Sequence, residues 1–467
     1  MRLFRSSVLA AYLTAGLLVA GLACFRGLPP QTIGVSGPSP VVAGLMVTCS
    51  TSVYEAEEDS VSLRFSWGDG DTSDWSPLVL RHHVVNMSHV WSNPGHVAVK
   101  AQARDKSGRL SEWFGGLLVS VLDSSVVKWV VDLRGGGYAC PAVAPDGTIY
   151  VTTDNSLVAL SPEGAEKWRF DRFGYGYAPV VGQDGTLYLF DGELFIINPS
   201  GAVVQVPDSL VMSSLDYPAL GPDGTIYVSR SDTVVALWPD GSLRWQSEVN
   251  GHPVGGPAVG TDSSICWVVS DSPRIRVFRP DGTPKWNANV KSGHWVSAGE
   301  RGSFTVVGNG VYTLDSTGEV TMRYEEGTEH WNGPSVIGPG RVLFLPSDDG
   351  LHIMRPDAQR VHTLHGWSLG PSVALDGSGS VYVCAESTDE NYNSVNAVIC
   401  LDSGLQRKWV VETEHADAPP GVAWDGTIYV IDEYGMLYAL KGGLPPTEAP
   451  WPKFAHDPRN ASCAPLN

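Results

Sequence analysis

Residues 218–228 read PALGPDGTIYV, and this stretch decides the fold because the chain repeats it. Close copies are PAVAPDGTIYV at 141–151, PVVGQDGTLYL at 179–189 and PGVAWDGTIYV at 420–430. Each copy places Asp-Gly between a short apolar run and a run with β-branched and aromatic residues. Asp-Gly suits a two-residue hairpin turn, because glycine adopts the positive φ that such a turn requires. The stretch therefore predicts two antiparallel strands joined by a tight turn.

The sequence after each copy supplies two more strands. After 141–151, TTDNSLVAL predicts a turn and a third strand, and SPEGAEKWRF predicts a turn and a fourth. Four antiparallel strands joined by tight turns form one blade of a β-propeller. Such units start at Pro141, Pro179, Pro218, Pro257, Pro334, Pro371 and Pro420. One interval is about twice as long as the others and holds a degenerate unit near Ser297, so we count eight units.

The last unit ends without an outer strand. Its sequence, MLYALKGGLPP at 436–446, stops in glycine and proline. Upstream of the first unit, VVKWVVDL at 126–133 has the composition of an outer strand. An N-terminal strand that completes the last blade would close the ring and leave no open sheet edge. We therefore predict an all-β chain with an eight-bladed propeller over 126–445 and a C-terminal tail over 446–467.

The repeated string is Ala-x-Asp-Gly-Thr, then a hydrophobic residue with Tyr-Val, then Ala-Leu, then Lys or Arg before Trp. It resembles the repeat of pyrroloquinoline-quinone (PQQ)-like propellers, whose outer-strand tryptophan packs between neighbouring blades. The tryptophans that match are Trp129, Trp168, Trp245, Trp286 and Trp409. The fifth and sixth units, with VTMRYE and QRVHTL, lack this residue. The resemblance covers 126–460 and implies the fold, whereas function depends on particular sites.

The resemblance also raises an enzymatic alternative, because the family includes quinoprotein dehydrogenases. Those enzymes carry a vicinal Cys-Cys pair beside the cofactor, an acidic base and calcium ligands at the channel mouth. This chain has no Cys-Cys, and its repeated aspartates belong to Asp-Gly turns that use their oxygens locally. We therefore expect a non-catalytic protein without metal or cofactor. A periplasmic PQQ-dependent oxidoreductase that binds PQQ and calcium is the alternative.

The N-terminus has the pattern of an export signal. Two arginines precede an uncharged apolar run at 8–23, which is short for a membrane span and ends in GLAC. It resembles a bacterial lipoprotein signal, which implies removal of 1–23, diacylation of Cys24 and a lipidated linker over 24–30. Gly21 departs from the larger aliphatic residue usual in that family, and an ordinary secretory peptide is the alternative. Either signal predicts export, and the lipoprotein signal predicts a membrane-anchored protein of the cell envelope, periplasmic or at the cell surface.

A small β domain is predicted over 31–123. SLRFSWGDGDTSDW at 62–75 and SHVWSNPGHVAVKAQARDKSG at 88–108 resemble a PKD (polycystic kidney disease) domain, an immunoglobulin-like sandwich. The resemblance implies a spacer or adhesion module. Clustered oxygens suit calcium, but an acidic turn of this kind commonly satisfies its own backbone amides, so we expect no metal here. The acidic residues of the turn are Asp69, Asp71 and Asp74.

The net charge limits the classes of partner, and the cysteine spacing limits metal binding and disulfide formation. The net charge of −19 repels a phosphate backbone, so we expect no nucleic acid. Apart from Cys24, six cysteines are scattered without metal-ligand spacing. Cys384 and Cys400 fall on neighbouring strands of one predicted hairpin and form a candidate disulfide in an oxidising compartment. Two small buried hydrophobic residues are the alternative.

The candidate binding residues lie in the loops before the inner strands, which we call the mouth loops. They read GGGYACP, GYGYAP, SLDYP, GHPVGGP, GHWVS, EHWNGP, HGWSLGP and EHADAPP. Because the units are related by rotation, these loops should crowd one mouth of the central channel. They contribute Tyr138, Tyr177, Tyr217, His252, His294, Trp295, His330, Trp331, His365, Trp367 and His415. Such rings around a concave centre predict a protein or glycan partner, and packing against neighbouring blades is the alternative.

Overall fold

The structure is a computed structural model of the 467-residue chain. It describes residues 30–54, 60–80, 82–137, 139–171, 178–190, 193–205, 218–325, 330–356, 360–388, 394–416 and 418–446. In these ranges the regular elements are β-strands, apart from single 3₁₀ turns at Glu300–Gly302 and Pro339–Arg341. No helix within them has the length and apolar character needed to cross a membrane. The chain divides into two compact units, one up to Leu122 and one from Asp123.

The N-terminal unit contains two β-sheets. Its strands are β1 (Gln31–Ser36), β2 (Val41–Val42), β3 (Met46–Tyr54), β4 (Val61–Ser66), β5 (Val85–Val90), β6 (Gly95–Asp105) and β7 (Phe114–Leu122). One sheet has the order β1-β3-β5 and the other the order β2-β7-β6-β4. Phe65, Trp67 and Trp91 are buried in its core, and the Trp91 indole Nε1 donates a hydrogen bond to the Trp67 carbonyl at 3.1 Å.

The second unit begins with β8 (Val127–Asp132) and continues as four-stranded antiparallel sheets, which we number 1 to 8 in chain order. Sheet 1 contains β9 (Ala142–Val143), β10 (Ile149–Thr152), β11 (Leu157–Leu160) and β12 (Glu166–Phe170). Sheet 2 contains β13 (Val180–Val181), β14 (Leu187–Phe190), β15 (Leu194–Ile197) and β16 (Val203–Gln205). Sheet 3 contains β17 (Ala219–Leu220), β18 (Ile226–Arg230), β19 (Thr233–Leu237) and β20 (Leu243–Glu248). Sheet 4 contains β21 (Ala258–Val259), β22 (Ile265–Val268), β23 (Ile275–Phe278) and β24 (Pro284–Ala288).

The remaining sheets follow the same order of strands. Sheet 5 contains β25 (Trp295–Ala298), β26 (Phe304–Val307), β27 (Val311–Leu314) and β28 (Val320–Tyr324). Sheet 6 contains β29 (Val336–Ile337), β30 (Leu343–Ser347), β31 (Gly350–Met354) and β32 (Arg360–Thr363). Sheet 7 contains β33 (Ser368–Leu375), β34 (Val381–Thr388), β35 (Ser394–Leu401) and β36 (Arg407–Thr413). Sheet 8 contains β37 (Gly421–Val422), β38 (Ile428–Ile431), β39 (Met436–Leu440) and, as its outer strand, β8.

The outer strand of sheet 8 comes from the start of the unit, as predicted from the sequence. Strand β8 pairs antiparallel with β39, with Asp132 opposite Met436 and Trp129 opposite Ala439. Sheets 1 and 8 also share one hydrophobic core, in which Val143 and Ile149 pack with Tyr429 and other residues of sheet 8. The pairing confirms the sequence interpretation of 126–133 and joins the two ends of the unit.

The middle strands of each sheet are buried on both faces. All four residues of β10 and all four of β11 are buried, whereas β12 exposes Glu166 and Lys167. A strand covered on both faces needs a continuous apolar run rather than alternation, which explains repeats such as TIYV and LVAL. The hydrophobic cores therefore lie between neighbouring sheets.

The Asp-Gly turns are one residue longer than predicted. In sheet 1 the Gly147 N–H donates to the Ala144 carbonyl at 2.9 Å, and the Ala144 N–H donates to the Thr148 carbonyl at 2.9 Å. Gly147 has a φ of 85°, so it is the left-handed residue that ends a three-residue loop. The two-residue hairpin was therefore wrong, although the need for glycine was correct. Asp146 Oδ1 accepts the Thr148 N–H at 2.9 Å and fixes the turn.

Most outer-strand tryptophans bind the next sheet. The Trp168 Nε1 donates to the Pro199 carbonyl at 3.0 Å, and the Trp245 Nε1 donates to the Pro280 carbonyl at 2.9 Å. The glycine two residues after each acceptor has a positive φ, and a Cβ there would lie 2.7 Å from the indole. Trp129 and Trp286 make the same kind of bond, to the carbonyls of Pro162 and Ser316.

Candidate functional site

The mouth loops are fastened to the turns between the second and third strands of their own sheets. The Asp154 N–H donates to the Gly136 carbonyl at 2.8 Å, and the Glu433 N–H donates to the His415 carbonyl at 2.9 Å. In sheet 4 the Ser270 N–H makes the same bond to the His252 carbonyl at 2.8 Å. We call this end of each sheet the loop end. The opposite end, with the Asp-Gly turns and the turns between the third and outer strands, is the turn end.

The structure describes eight of the eleven candidate residues, because Tyr138, Tyr177 and Tyr217 lie outside the described residues. The exposed members are His252, His294, His330 and His365. Trp295, Trp367 and His415 are half-buried. Trp295 packs against the core between sheets 5 and 6, and Trp367 packs against the core between sheets 6 and 7. The loop end therefore presents histidines to solvent above partly covered indoles.

Trp331 does not belong to this surface. Its side chain is only 6% exposed, it lies in the core cluster of sheets 4 to 6, and its ring contacts His352 edge-on at 5.1 Å. Trp331 also forms a β-bridge with Ser347, which extends the sheet beyond β29. The sheet continues into this mouth loop and buries the ring, which matches the alternative interpretation of packing against neighbouring blades. A binding role of Trp331 stays a prediction.

Below Trp331 lies a polar network that the sequence analysis missed. His352 is completely buried, and its Nε2 lies 2.8 Å from Asp349 Oδ1. The Arg360 Nε donates to His352 Nδ1 at 2.8 Å, which leaves Nε2 as the protonated nitrogen of a neutral ring. Arg360 also bonds to the hydroxyl of Tyr324 in sheet 5. The network connects sheets 5 and 6 beneath the loop end. No sequence motif predicts it.

A buried carboxyl lies at the loop end of sheet 8. Asp432 is completely buried and accepts hydrogen bonds from the N–H groups of Tyr434 and Met436 at 3.0 and 2.9 Å. The Tyr438 hydroxyl donates to its Oδ2 at 3.2 Å. Burial raises the pKa of Asp432 despite these bonds, and Glu414 adds to the effect. The bonds assign Asp432 to shaping the turn between the second and third strands of sheet 8.

In the N-terminal unit, the acidic turn includes a histidine that the sequence analysis did not consider. One ligand atom from each of Asp69, Asp71 and His89 lies within 4.8 Å of the others. Asp69 Oδ1 accepts the Asp71 N–H at 3.0 Å, and Asp69 Oδ2 lies 2.7 Å from His89 Nε2. Partial burial opposes ionisation of Asp69, but the His89 and Asp71 bonds hold its pKa below the usual value. The His89 ring stacks on Trp67 with 4.8 Å between centroids. The group therefore locks the turn onto the core.

The candidate disulfide is not formed. Cys384 and Cys400 are buried on the adjacent strands β34 and β35, but Cys384 is opposite Val398 and Cys400 is opposite Tyr382. This diagonal offset differs from the directly opposite placement that short bridging geometry favours. The five described cysteines form no disulfide. The alternative interpretation, small buried hydrophobic residues, describes this pair.

Comparisons with known proteins agree with the repeat architecture. A family model described as "Outer membrane protein assembly factor BamB" matches residues 210–342. The matched region spans sheets 3, 4 and 5 and reaches into sheet 6. Together with the repeated four-stranded sheets, this match supports a β-propeller with PQQ-like repeats in the matched region. No curated protein matches the chain.

Solved structures match parts of the chain with low TM-scores. The PKD domain of an M14-like peptidase from Thermoplasmatales archaeon SCGC AB-540-F20 is 28% identical, covering 20% of this chain and 92% of its own, with a TM-score of 0.18. A eukaryotic initiation factor is 9% identical, covering 64% of this chain and 89% of its own, with a TM-score of 0.40. A gluconolactonase from Xanthomonas campestris is 13% identical, covering 55% of this chain and 86% of its own, with a TM-score of 0.32.

Proposed function

We propose that this chain is a non-catalytic cell-envelope lipoprotein whose propeller binds a protein or glycan partner through its mouth loops. The observation that carries the proposal is the surface of the loop end. Exposed His252, His294 and His330 lie in equivalent loops, with the half-buried indole of Trp295 beside His294 at 5.6 Å between ring centroids. Amphipathic rings supply contact area together with polar edges, and binding energy concentrates in such residues.

The proposed architecture is a closed eight-bladed propeller preceded by a PKD-like spacer. Eight four-stranded sheets and the core shared by sheets 1 and 8 support the blade count. The two sheets and buried tryptophans of the N-terminal unit support the spacer. We propose domain limits of 31–123 and 126–445. An electron-microscopy map of the purified protein with a blade number other than eight would overturn this architecture.

An envelope partner fits the charge and the family match. The net charge of −19 disfavours nucleic acid. The matching family model is named for an outer membrane protein assembly factor, which favours a partner in the same compartment. The proposal needs no PQQ, calcium or other cofactor.

The proposed anchor is a diacylated Cys24, in the part of the chain outside the described residues. The motivation is the uncharged apolar run that ends in GLAC. In the producing cells, Cys24→Ser should move the protein from the membrane fraction to the soluble fraction. An unchanged distribution in both fractions would contradict the anchor.

The mouth proposal is tested by partner capture with the full-length protein from detergent-extracted membranes. A variant that combines His252→Ala, His294→Ala and His330→Ala should lose roughly tenfold or more in partner affinity. Because these side chains are exposed, the melting temperature should change by only a few degrees. His83→Ala, an exposed position in the N-terminal unit, is the matched control and should capture normally. Equal capture by the triple variant and the control would exclude the mouth loops as the binding surface.

A further inference from the structure

Regular sheets of the propeller place two aromatic rings side by side near the turn end. In sheet 1, Tyr150 of β10 and Trp168 of β12 both pair with Ala159 of β11, and their ring centroids are 5.7 Å apart. Sheets 3, 7 and 8 repeat the arrangement with centroid distances of 6.0, 5.8 and 5.7 Å. The register therefore defines a tyrosine position and a tryptophan position in every sheet.

Sheets 2 and 4 replace one member of this pair, and sheet 6 replaces both, with Phe344 and Val361. Sheet 4 has Cys266 at the tyrosine position and keeps Trp286. Sheet 2 has Gln205 at the tryptophan position and keeps Tyr188, whose hydroxyl donates to the Pro239 carbonyl of sheet 3 at 3.3 Å. Sheet 6 has Phe344 at the tyrosine position. Each of these sheets therefore keeps one ring at the junction.

Sheet 5 has neither ring. Its register places Thr305 at the tyrosine position and Met322 at the tryptophan position, with Thr313 between them. The hydroxyls of Thr305 and Thr313 lie 3.2 Å apart. Two aromatic side chains are thus replaced by smaller ones at the junction with sheet 6.

A cavity of about 210 Å³ occupies this junction. Its walls include Thr305, Thr313 and Met322 of sheet 5 and Ile337, Leu343 and Pro356 of sheet 6. At its rim, Arg341 Nε and Glu300 Oε2 lie 3.6 Å apart. For scale, an apolar cavity of about 150 Å³ is large enough to bind benzene. The structure therefore keeps the space of an aromatic ring open between sheets 5 and 6.

The cavity wall also includes a proline at the chain position whose carbonyl accepts an indole N–H in other sheets. Pro356 lies two residues after the third strand of its sheet, as do Pro162, Pro199 and Pro280, whose carbonyls accept indole Nε1–H bonds at 2.9 to 3.0 Å. The Met322 side chain has no N–H, so it cannot make the bond that an indole makes to the equivalent carbonyl. The threonine hydroxyls add polar groups to the wall.

We propose that this cavity binds a planar aromatic ring that carries an N–H donor, of the indole class, in the place of the missing tryptophan. The ring would stack against Met322 and Leu343 and donate to the Pro356 carbonyl. Sulfur beside an aromatic ring is a favourable contact, and Arg341 at the rim can cover the outer face of the ring. The site lies at the turn end and therefore goes beyond the proposed partner binding at the loop end.

The test uses 5-fluoroindole and fluorine NMR on the full-length protein. We expect saturable binding to the parent protein and to Met322→Leu, which keeps the cavity open. Met322→Trp and Thr305→Tyr each return one missing ring and should weaken binding by roughly tenfold or more. The two filled variants are independent, so the result stands if one of them fails to fold by circular dichroism. No saturable binding to the parent, or parent-like binding by a folded filled variant, would overturn the proposal.

Two further probes define the ligand. Indane has a similar shape without the N–H and should bind roughly tenfold more weakly, whereas equal binding would contradict the Pro356 hydrogen bond. N-acetyltryptophanamide carries the ring on a peptide backbone. Tighter binding than indole identifies a polypeptide side chain as the natural source of the ring, and weaker binding identifies a free small molecule. The mouth variant with three histidines replaced should bind 5-fluoroindole normally, which separates this site from the proposed partner surface.

Discussion

The turn end and the loop end of the propeller sheets differ in which hydrogen-bonding groups recur from sheet to sheet. At the turn end, an aspartate side chain recurs beside the backbone bonds: Asp146, Asp223 and Asp425 each accept the backbone N–H two residues later, at 2.9 to 3.1 Å. At the loop end, the recurring bond to a mouth loop joins two backbone groups, as in the bond from the Asp154 N–H to the Gly136 carbonyl. In sheets 1, 4 and 8 the mouth loops are thus fastened through backbone bonds, and in sheet 4 Ser270 Oγ adds a side-chain bond by accepting the His252 N–H at 2.9 Å.

This difference explains why one end is repetitive and the other is not. A residue that makes a structural bond is hard to replace, so Asp-Gly and tryptophan recur at the turn end. A loop fastened through its backbone tolerates histidine, tyrosine or tryptophan at the same place, which suits a binding surface. The junction of sheets 5 and 6 is the exception at the turn end, because Met322 and Thr305 stand there in place of the tryptophan and the tyrosine.

The largest expected effect comes from removing a turn-end indole. Trp286→Ala loses the bond to the Ser316 carbonyl and the contact with Phe304, so it should lower the free energy of unfolding by about 3 kcal/mol. Trp367→Ala, at the loop end, should cost about 1 kcal/mol, because that ring is half-buried and lies at the edge of its core. Urea unfolding measures both values. Equal losses would mean that the two ends contribute alike to stability.

A smaller effect should follow from adding one methyl group at each end. Gly318 at the turn end and Gly366 at the loop end have φ values of 90° and 79°, so alanine is strained at both by about 1 kcal/mol. A Cβ at Gly318 would lie 2.7 Å from Trp286, whereas nothing lies within 4 Å at Gly366. Gly318→Ala should therefore lower the free energy of unfolding by about 2 kcal/mol, roughly twice the loss for Gly366→Ala. Urea unfolding of the two variants measures both losses in the free energy of unfolding. A larger loss for Gly366→Ala than for Gly318→Ala would contradict the prediction.

The turn end could be predicted from the sequence in considerable detail. Repeats of Asp-Gly-Thr and Lys/Arg-Trp located the strands, and the missing outer strand of the last unit led to 126–133, which pairs with β39. The length of the Asp-Gly turn was missed, because Asp-Gly occurs both in two-residue turns and in longer loops that end in a left-handed glycine. Local sequence determines which residue needs positive φ, but the strand register determines the turn length.

The loop end and the cavity were less predictable. Trp295 and Trp331 occupy equivalent-looking positions, yet one is half-buried and the other is 6% exposed, because an extra β-bridge draws Trp331 into the sheet. The sequence shows that the fifth unit lacks tryptophan. An open cavity also requires Thr305 at the tyrosine position and requires that the lining residues of sheet 6 do not fill the space. These features depend on packing between sheets, which cannot be derived from the spacing of the sequence repeats.

The smallest expected effect compares two buried aspartates and depends on pH. At the turn end, burial opposes ionisation of Asp376, but bonds from Ser378, Ser380 and Tyr382 hold its pKa below the usual 3.8. At the loop end, burial raises the pKa of Asp432. A lowered pKa gives stability that is present above pH 3.8 and lost as the pH falls through the folded value. A raised pKa gives stability that is present below 3.8 and lost as the pH rises through the folded value.

The two asparagine variants should therefore respond to pH in opposite directions. Asp376→Asn should cost more at pH 7 than at pH 3, because it removes a carboxylate that the fold stabilises. Asp432→Asn should cost less at pH 7 than at pH 3, because at neutral pH it also removes a charge that burial disfavours. Urea unfolding of both variants and the parent at the two pH values measures the four differences. If both losses change in the same direction with pH, the two ends do not treat their buried carboxyl groups differently, and the raised pKa at the loop end has no thermodynamic consequence.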